Sequence, residues 1–156
     1  MLRSLILVAT HILALGVGFA IGVYTLPILT APQGPDKAAL QATVGSALFK
    51  GRFERNLKGS DFLHWGEGDV RVLLDRIAHE GRLAPGPDYK LYLAPSFVDT
   101  KEGFLKIKDQ SRRIGDIKSF EGFLIDVPPG VDVKAYTTVV VWCEAFSQFI
   151  SAAQYR

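Results

Sequence analysis

The sequence predicts a mainly β fold, an antiparallel β-sandwich or barrel, preceded by one transmembrane α-helix. Two observations carry this expectation. From Leu5 to Leu29 there is no Asp, Glu, Lys or Arg, and a helix of that stretch, at about 1.5 Å per residue, exceeds the roughly 30 Å hydrocarbon layer of a bilayer. Beyond residue 46 the apolar residues recur with a period of two, in short runs broken by proline- and glycine-rich turns, which is the pattern of half-buried strands.

The leading stretch reads as an anchor over residues 1–30. A cleaved secretory signal has an apolar region of about 7–15 residues followed by small residues; this one is longer and ends in Thr25-Leu26-Pro27-Ile28-Leu29-Thr30-Ala31-Pro32. Arg3 and the α-amino group precede the helix, whereas Asp36 and Lys37 nearly cancel after it. The expected orientation is therefore N-terminus cytoplasmic and C-terminal domain periplasmic or extracellular, a single-pass protein in the lipid bilayer. Gly16, Gly18 and Gly22 read as one helix-packing side, with Gly18 and Gly22 at the spacing that lets a second helix approach closely. His11 either needs a partner in the span or faces the headgroup boundary.

Residues 31–45 form the linker. Ala31-Pro32-Gln33-Gly34-Pro35 cannot continue a helix, but Asp36 stands where an N-cap would, ahead of the helix formers Lys37–Thr43, so a short helix leads into the domain.

The β domain is expected over 46–156, near the usual size of a single domain. Candidate strands are Leu48–Phe53, Asp69–Leu74, Tyr89–Leu93, Phe104–Ile107, Gly115–Phe120, Gly122–Val127, Thr137–Cys143 and Phe149–Ala153. Turns are expected at Gly66–Asp69, Pro85–Asp88 and Pro128–Gly130. With no 10- to 15-residue helical crossover between the strands, antiparallel pairing follows. In the turn Gly86-Pro87-Asp88, proline presets φ and the aspartate side chain can cap the backbone. In Thr137–Glu144, alternation puts Cys143 on the face of Val139 and Val141, and Trp142 on the face of Val140 and Glu144.

Composition excludes several classes. Removing Arg3 from the 18 basic residues leaves 17 against 16 acidic ones in the rest of the chain, a balance that does not favour nucleic acid. Cys143 is the only cysteine, so no internal disulfide forms. There is no nucleophile elbow, no His-Glu-x-x-His and no phosphate-cradling glycine loop, which argues against an enzyme. Lys106, Lys108, Arg112, Arg113 and Lys118 are diluted by Asp109 and Asp116 and read as a solvated face.

The order of Gly51-Arg52-Phe53, His64-Trp65-Gly66-Glu67-Gly68-Asp69-Val70, Gly86-Pro87-Asp88-Tyr89-Lys90-Leu91-Tyr92-Leu93, Gly115-Asp116-Ile117-Lys118, Gly122-Phe123 before Pro128, and Val139-Val140-Val141-Trp142-Cys143-Glu144-Ala145-Phe146 resembles the DM-thirteen domain. That domain is described as an electron-transfer module, and the resemblance runs from about Ser46 to the end. One departure is Phe123, where a tyrosine is more usual. The resemblance implies an extracytoplasmic β module with a redox role centred on Cys143, as a free thiol or through haem.

Against that stand the residues themselves. A cysteine facing an apolar core is an inert small hydrophobe, and reactivity needs a thiolate near positive charge and solvent. A c-type haem motif is absent, a b-type haem would have to use His64, His79 or Cys143, and blue copper from the same three would lack its axial methionine. His64 reads as a local turn residue, and Asp61, Glu67 and Asp69 read as a solvated turn, since they lack calcium-loop spacing. No resident cofactor is expected.

Three functions stay open. The first and preferred is an accessory subunit, its helix docked among other integral membrane subunits of an electron-transfer or photosynthetic assembly. The second is a redox carrier using Cys143, and the third a surface module binding an extracellular ligand. All rest on the anchor. Alkaline carbonate extraction of membranes should leave the chain in the pellet with residues 1–30 attached; a soluble chain starting near Gln33 would overturn the anchor.

Overall fold

The computed structural model describes all 156 residues. Helix α1 (Leu2–Thr30) is one continuous helix with no residue buried in the protein, long and apolar enough to cross a membrane. Its polar side chains fold back onto its own backbone: Thr25 Oγ1 donates to Ile21 O at 2.8 Å, Thr30 Oγ1 to Leu26 O at 2.8 Å, and His11 Nδ1 lies 2.7 Å from Leu7 O. His11 thus finds its partner within the helix, which lowers the cost of an imidazole in an apolar span. At 100° per residue, Gly18 and Gly22 stack one turn apart, but Gly16 lies about 160° round from Gly18. Gly16 therefore leaves the proposed packing side.

Asp36 caps α2 (Lys37–Ala42), its Oδ1 accepting from Ala38 N at 3.2 Å. The domain that follows is a sandwich of two four-stranded antiparallel sheets. The first has the order β1 (Phe49–Phe53), β2 (Gly66–Val72), β3 (Arg76–Leu83), β6 (Phe123–Asp126); the second has the order β5 (Arg112–Ile117), β4 (Tyr89–Ala94), β7 (Thr138–Cys143), β8 (Gln148–Gln154). Strands β1 and β8 meet along one margin and β5 and β6 along the other. Gly51 permits the first of these approaches, because a Cβ there would sit 2.6 Å from Gln154 O.

Strand β7 is buried along its whole length. Its two faces feed two cores. Val139, Val141 and Cys143 pack between the sheets with Val70, Ile77, Leu91 and Ile150, whereas Val140 and Trp142 pack outward with Tyr92, Phe104 and Phe149.

Three expectations are corrected and one strand is added. Gly115–Phe120 is displaced, since β5 runs Arg112–Ile117 and leaves Lys118, Ser119 and Phe120 in the connection to β6. Phe104–Ile107 is not a strand but the end of α3 (Lys101–Ile107), whose N-cap Thr100 Oγ1 accepts from Gly103 N at 3.1 Å. The helix wins because Phe104 and Ile107, three residues apart, both pack on the outer core while Leu105 between them is 48% exposed, and Phe104 plugs that core against Tyr92 and Trp142, at 5.3 and 5.1 Å between ring centroids. Gly66–Asp69 is not a turn but the start of β2, paired with Leu83–Glu80. Strand β3 was missed, because Arg76-Ile77-Ala78-His79-Glu80-Gly81 is too polar and small to read as a strand.

Phe104→Ala should cost about 4 kcal/mol of domain stability through lost burial and a residual cavity. Leu105→Ala, one position on, should stay within about 0.5 kcal/mol, both measured by denaturant unfolding of the detergent-solubilised chain. Equal losses would contradict the one-sided burial of this segment.

Candidate functional site

The domain end nearest the helix and the C-terminal half of α1 enclose an open cleft of about 330 Å³. Phe19, Ala20, Val23 and Tyr24 form the helix wall. Four parts of the domain supply the rest: Leu63 and His64 from the β1–β2 loop, Pro85–Pro87 with Tyr89 from the β3–β4 turn, Cys143 and Phe146 from the end of β7 and its turn, and Gln148 and Ile150 from β8. Of the residues singled out in the sequence, Cys143, His64, Gly86 and Pro87 are brought together here. Asp88 adjoins them, while Trp142 points the other way. Gly18 and Gly22 face away from the cleft wall, and nothing lies within 4 Å of a Cβ built on either.

Cys143 is 2% exposed and free. Burial pushes its thiol above the ordinary value, although the backbone amides of Phe146, Asp88 and Ala145 pull the other way. The group is thus a neutral thiol at the inner wall. Beside it, burial pushes the Tyr89 phenol up, and Cys143 and Tyr24 are near enough to add to that shift. Gly86 cannot bear a side chain, since a Cβ would enter the Tyr89 ring. Asp88 was expected to cap its turn, but its Oδ1 instead pairs with Lys90 Nζ at 2.5 Å, which Asp116 also contacts at 3.1 Å.

His64 is held by its own loop. Asp61 Oδ1 accepts from Leu63 N at 2.7 Å and from His64 N at 2.8 Å, and Asp61 Oδ2 lies 2.9 Å from His64 Nδ1. Burial alone would raise the Asp61 carboxyl, but the His64 ring and these amides hold it below the usual carboxylate value. An ionised carboxylate only accepts, so Nδ1 carries hydrogen and Nε2 is the ring's free nitrogen.

The opposite face of β7 carries a second polar group. Tyr92 donates its hydroxyl to Glu144, and Lys108 Nζ reaches Glu144 Oε2 at 2.7 Å while lying 5.3 Å from the Trp142 ring centroid. Burial raises the Glu144 carboxyl, and Lys108 and Tyr92 more than reverse it. This cluster closes the outer core rather than lining the cleft.

The three candidate donors do not come together as a blue-copper set. His79 is fully buried, with the Phe53 and Phe123 rings 4.9 and 5.1 Å away and Nδ1 3.1 Å from Asp69 O; it does not line the cleft and cannot join Cys143 and His64 around one metal. No three of His, Cys, Asp and Glu stand close enough to hold a metal ion. At Cys143 haem iron would take a thiolate, and no cation lies among the groups acting on that sulfur to stabilise one. The acidic trio is engaged by other side chains instead: Asp69 by Arg52 at 2.5 Å, Glu67 by Arg55 at 3.5 Å, and Asp61 by the His64 ring.

Sequence reading missed Tyr24 and Tyr89 as cleft residues. Tyr89 was visible only as a strand position, and nothing in the composition of α1 sets Tyr24 apart.

Burial lowers His79 from 6.5 to about 4. A depressed histidine leaves the unfolded chain binding the extra proton between those values, so the contribution is complete above about pH 6.5 and is lost as pH falls towards 4. The domain should lose roughly 3 kcal/mol from this group alone between pH 7 and 4. His79→Gln should flatten that part of the profile in urea unfolding; an unchanged slope would remove His79 as its cause.

A family profile described as Electron transfer DM13 matches residues 56–155. The match covers β2 to β8, the β1–β2 loop with His64, and Cys143; β1 lies outside it although it pairs along its full length with β2. No curated protein and no solved structure matches the chain. Spanning nearly two thirds of the sequence and every domain residue of the cleft, the match shows that this chain belongs to the DM13 electron-transfer family.

Proposed function

We propose that the chain is a membrane-anchored accessory subunit with no catalytic activity and no resident cofactor of its own. On this reading α1 crosses the bilayer with its N-terminus in the cytoplasm. The DM13 domain then rests on the periplasmic or extracellular surface, and the helix docks to other integral subunits of an electron-transfer or photosynthetic assembly. Nucleic acid has no part in it.

The observation that carries this reading is the division of α1 into two sides. Phe19, Ala20 and Val23 turn toward the domain, and Gly18 and Gly22 turn away with open space before them. Small residues one turn apart let helix backbones approach, and close packing drives association in lipid, where burial of apolar surface no longer does. A helix needed only as a tether would gain nothing from that second side.

A second reading, a redox carrier acting through Cys143, is favoured by the cleft that the cysteine lines. Its weakness is the neutral, buried thiol, since thiolate is the form that exchanges electrons with disulfides or metals.

Purification in mild detergent should yield the chain with further membrane subunits in fixed proportion. Gly18→Leu with Gly22→Leu should release those partners while the domain's unfolding profile stays unchanged. Recovery of the wild-type chain alone would remove the accessory reading.

A further inference from the structure

The cleft has a chemistry that anchoring does not use. Its walls are apolar, yet a histidine, two phenols, a glutamine and a thiol line it, and one of its walls is helix α1 itself. Resting on the anchored reading above, its level in the bilayer follows. Helix α1, at 29 residues, outruns the roughly 30 Å hydrocarbon layer by more than two turns. With Arg3 at one boundary, Phe19–Tyr24 stand at the other, so the cleft opens where acyl chains give way to headgroups. A ligand arriving there comes from the lipid phase and carries both an apolar body and a polar group.

The geometry points to a reduced quinone, a membrane-soluble quinol, as the ligand of this cleft, its ring between Phe19, Val23 and Ile150 and one hydroxyl donated to His64 Nε2. Asp61 fixes the direction of that hydrogen bond. Because Nδ1–H is committed to the carboxylate at 2.9 Å, Nε2 accepts and cannot donate while the ring is neutral. A quinol hydroxyl satisfies it, whereas a quinone carbonyl meets a second lone pair. A space of about 330 Å³ is at the small end of ligand sites, suited to one substituted ring with its tail running out along α1. A phospholipid would bring a charged headgroup to a wall that offers it no cation, since the nearby Arg55 is paired with Glu67 and lies over the Trp65 ring. The inference is of binding only, and no electron transfer within the chain is assigned.

The test uses the full chain in phospholipid nanodiscs, with empty discs as the partition control. Decylubiquinol or decylubiquinone is added, and the amount bound is measured by extraction and absorbance. The fully substituted ring prevents the Cys143 thiol from adding to it. Binding above the empty-disc level should saturate at one per chain and favour the quinol. His64→Phe should weaken quinol binding about fivefold and erase the preference between the two forms. Ala20→Phe, which fills the cleft from the helix without touching the domain core, should abolish saturation. Non-saturating uptake, displacement by farnesol as readily as by quinol, or a preference that survives His64→Phe would each overturn the inference, farnesol displacement marking a groove for lipid tails. Because the discs hold only this chain, the result is independent of copurification: a chain that binds quinol yet purifies alone overturns the accessory reading and not this one.

Discussion

The structure depends on strand β7 being buried on both faces. Its neighbour β4 pairs with it without interruption from Tyr89 opposite Cys143 to Ala94 opposite Thr138, and β8 covers its other edge with one irregularity between Val141 and Trp142. Alternation then distributes side chains without choice: Val139, Val141 and Cys143 inward, Val140 and Trp142 outward. A slip of one residue would exchange the two sets. Trp142 would be driven into the space between the sheets and Cys143 into the aromatic cluster beneath α3. The outer core of Tyr92, Phe104 and Phe149 and the inner core of Val70, Ile77 and Leu91 therefore fix each other through this one strand, and the position of the thiol at the cleft is a consequence of that register.

What the sequence disclosed follows the strength of its local signals. The uncharged run of α1 is long, and in the apolar run of β7 alternation decides which residues share a face, so both were legible, down to which face of β7 holds Cys143. Asp36 was legible as a cap because its side-chain chemistry is local. Phe104–Ile107 was not, since four residues, three of them apolar, fit one turn of helix as well as a short strand, and the arbiter, Thr100, sits before the run. Strand β3 was hidden because its partners, not its composition, make it a strand: His79 lies between two phenylalanine rings that come from β1 and β6. The cleft was the least legible feature of all. Phe19, His64, Tyr89 and Cys143 are separated by tens of residues, and only the folded chain puts them around one space.

The linker explains why the helix and domain share a wall at all. Pro32 and Pro35 limit its backbone, and Gly34 packs so closely on Glu121 O that a Cβ there would collide with it. Leu40, just beyond, is buried. The segment from Ala31 to Leu40 is thus seated on the domain near the β5–β6 turn rather than paid out as a free tether. The exit angle of α1 is set by these contacts, and with it the side of the helix that meets the domain. Gly18 and Gly22 are left on the other side as a geometrical result of the same seating.

The neutral state of the cleft bears on what an electron-transfer family member can do with it. A thiol raised by burial and a phenol raised by burial both resist giving up a proton to the cleft, and neither has a cation to stabilise the charge that would result. Thiolate attack and metal ligation are therefore poorly supported at Cys143, while contact with an uncharged apolar ring costs nothing in desolvated charge. At the rim, the Asp61 carboxylate holds His64 Nδ1–H and so orients an acceptor nitrogen toward whatever enters. A site of this kind selects by hydrogen-bond direction and by shape rather than by charge. The family's redox association then need not require that Cys143 itself change oxidation state; the residue can act as the small, soft inner wall against which a redox-active molecule rests.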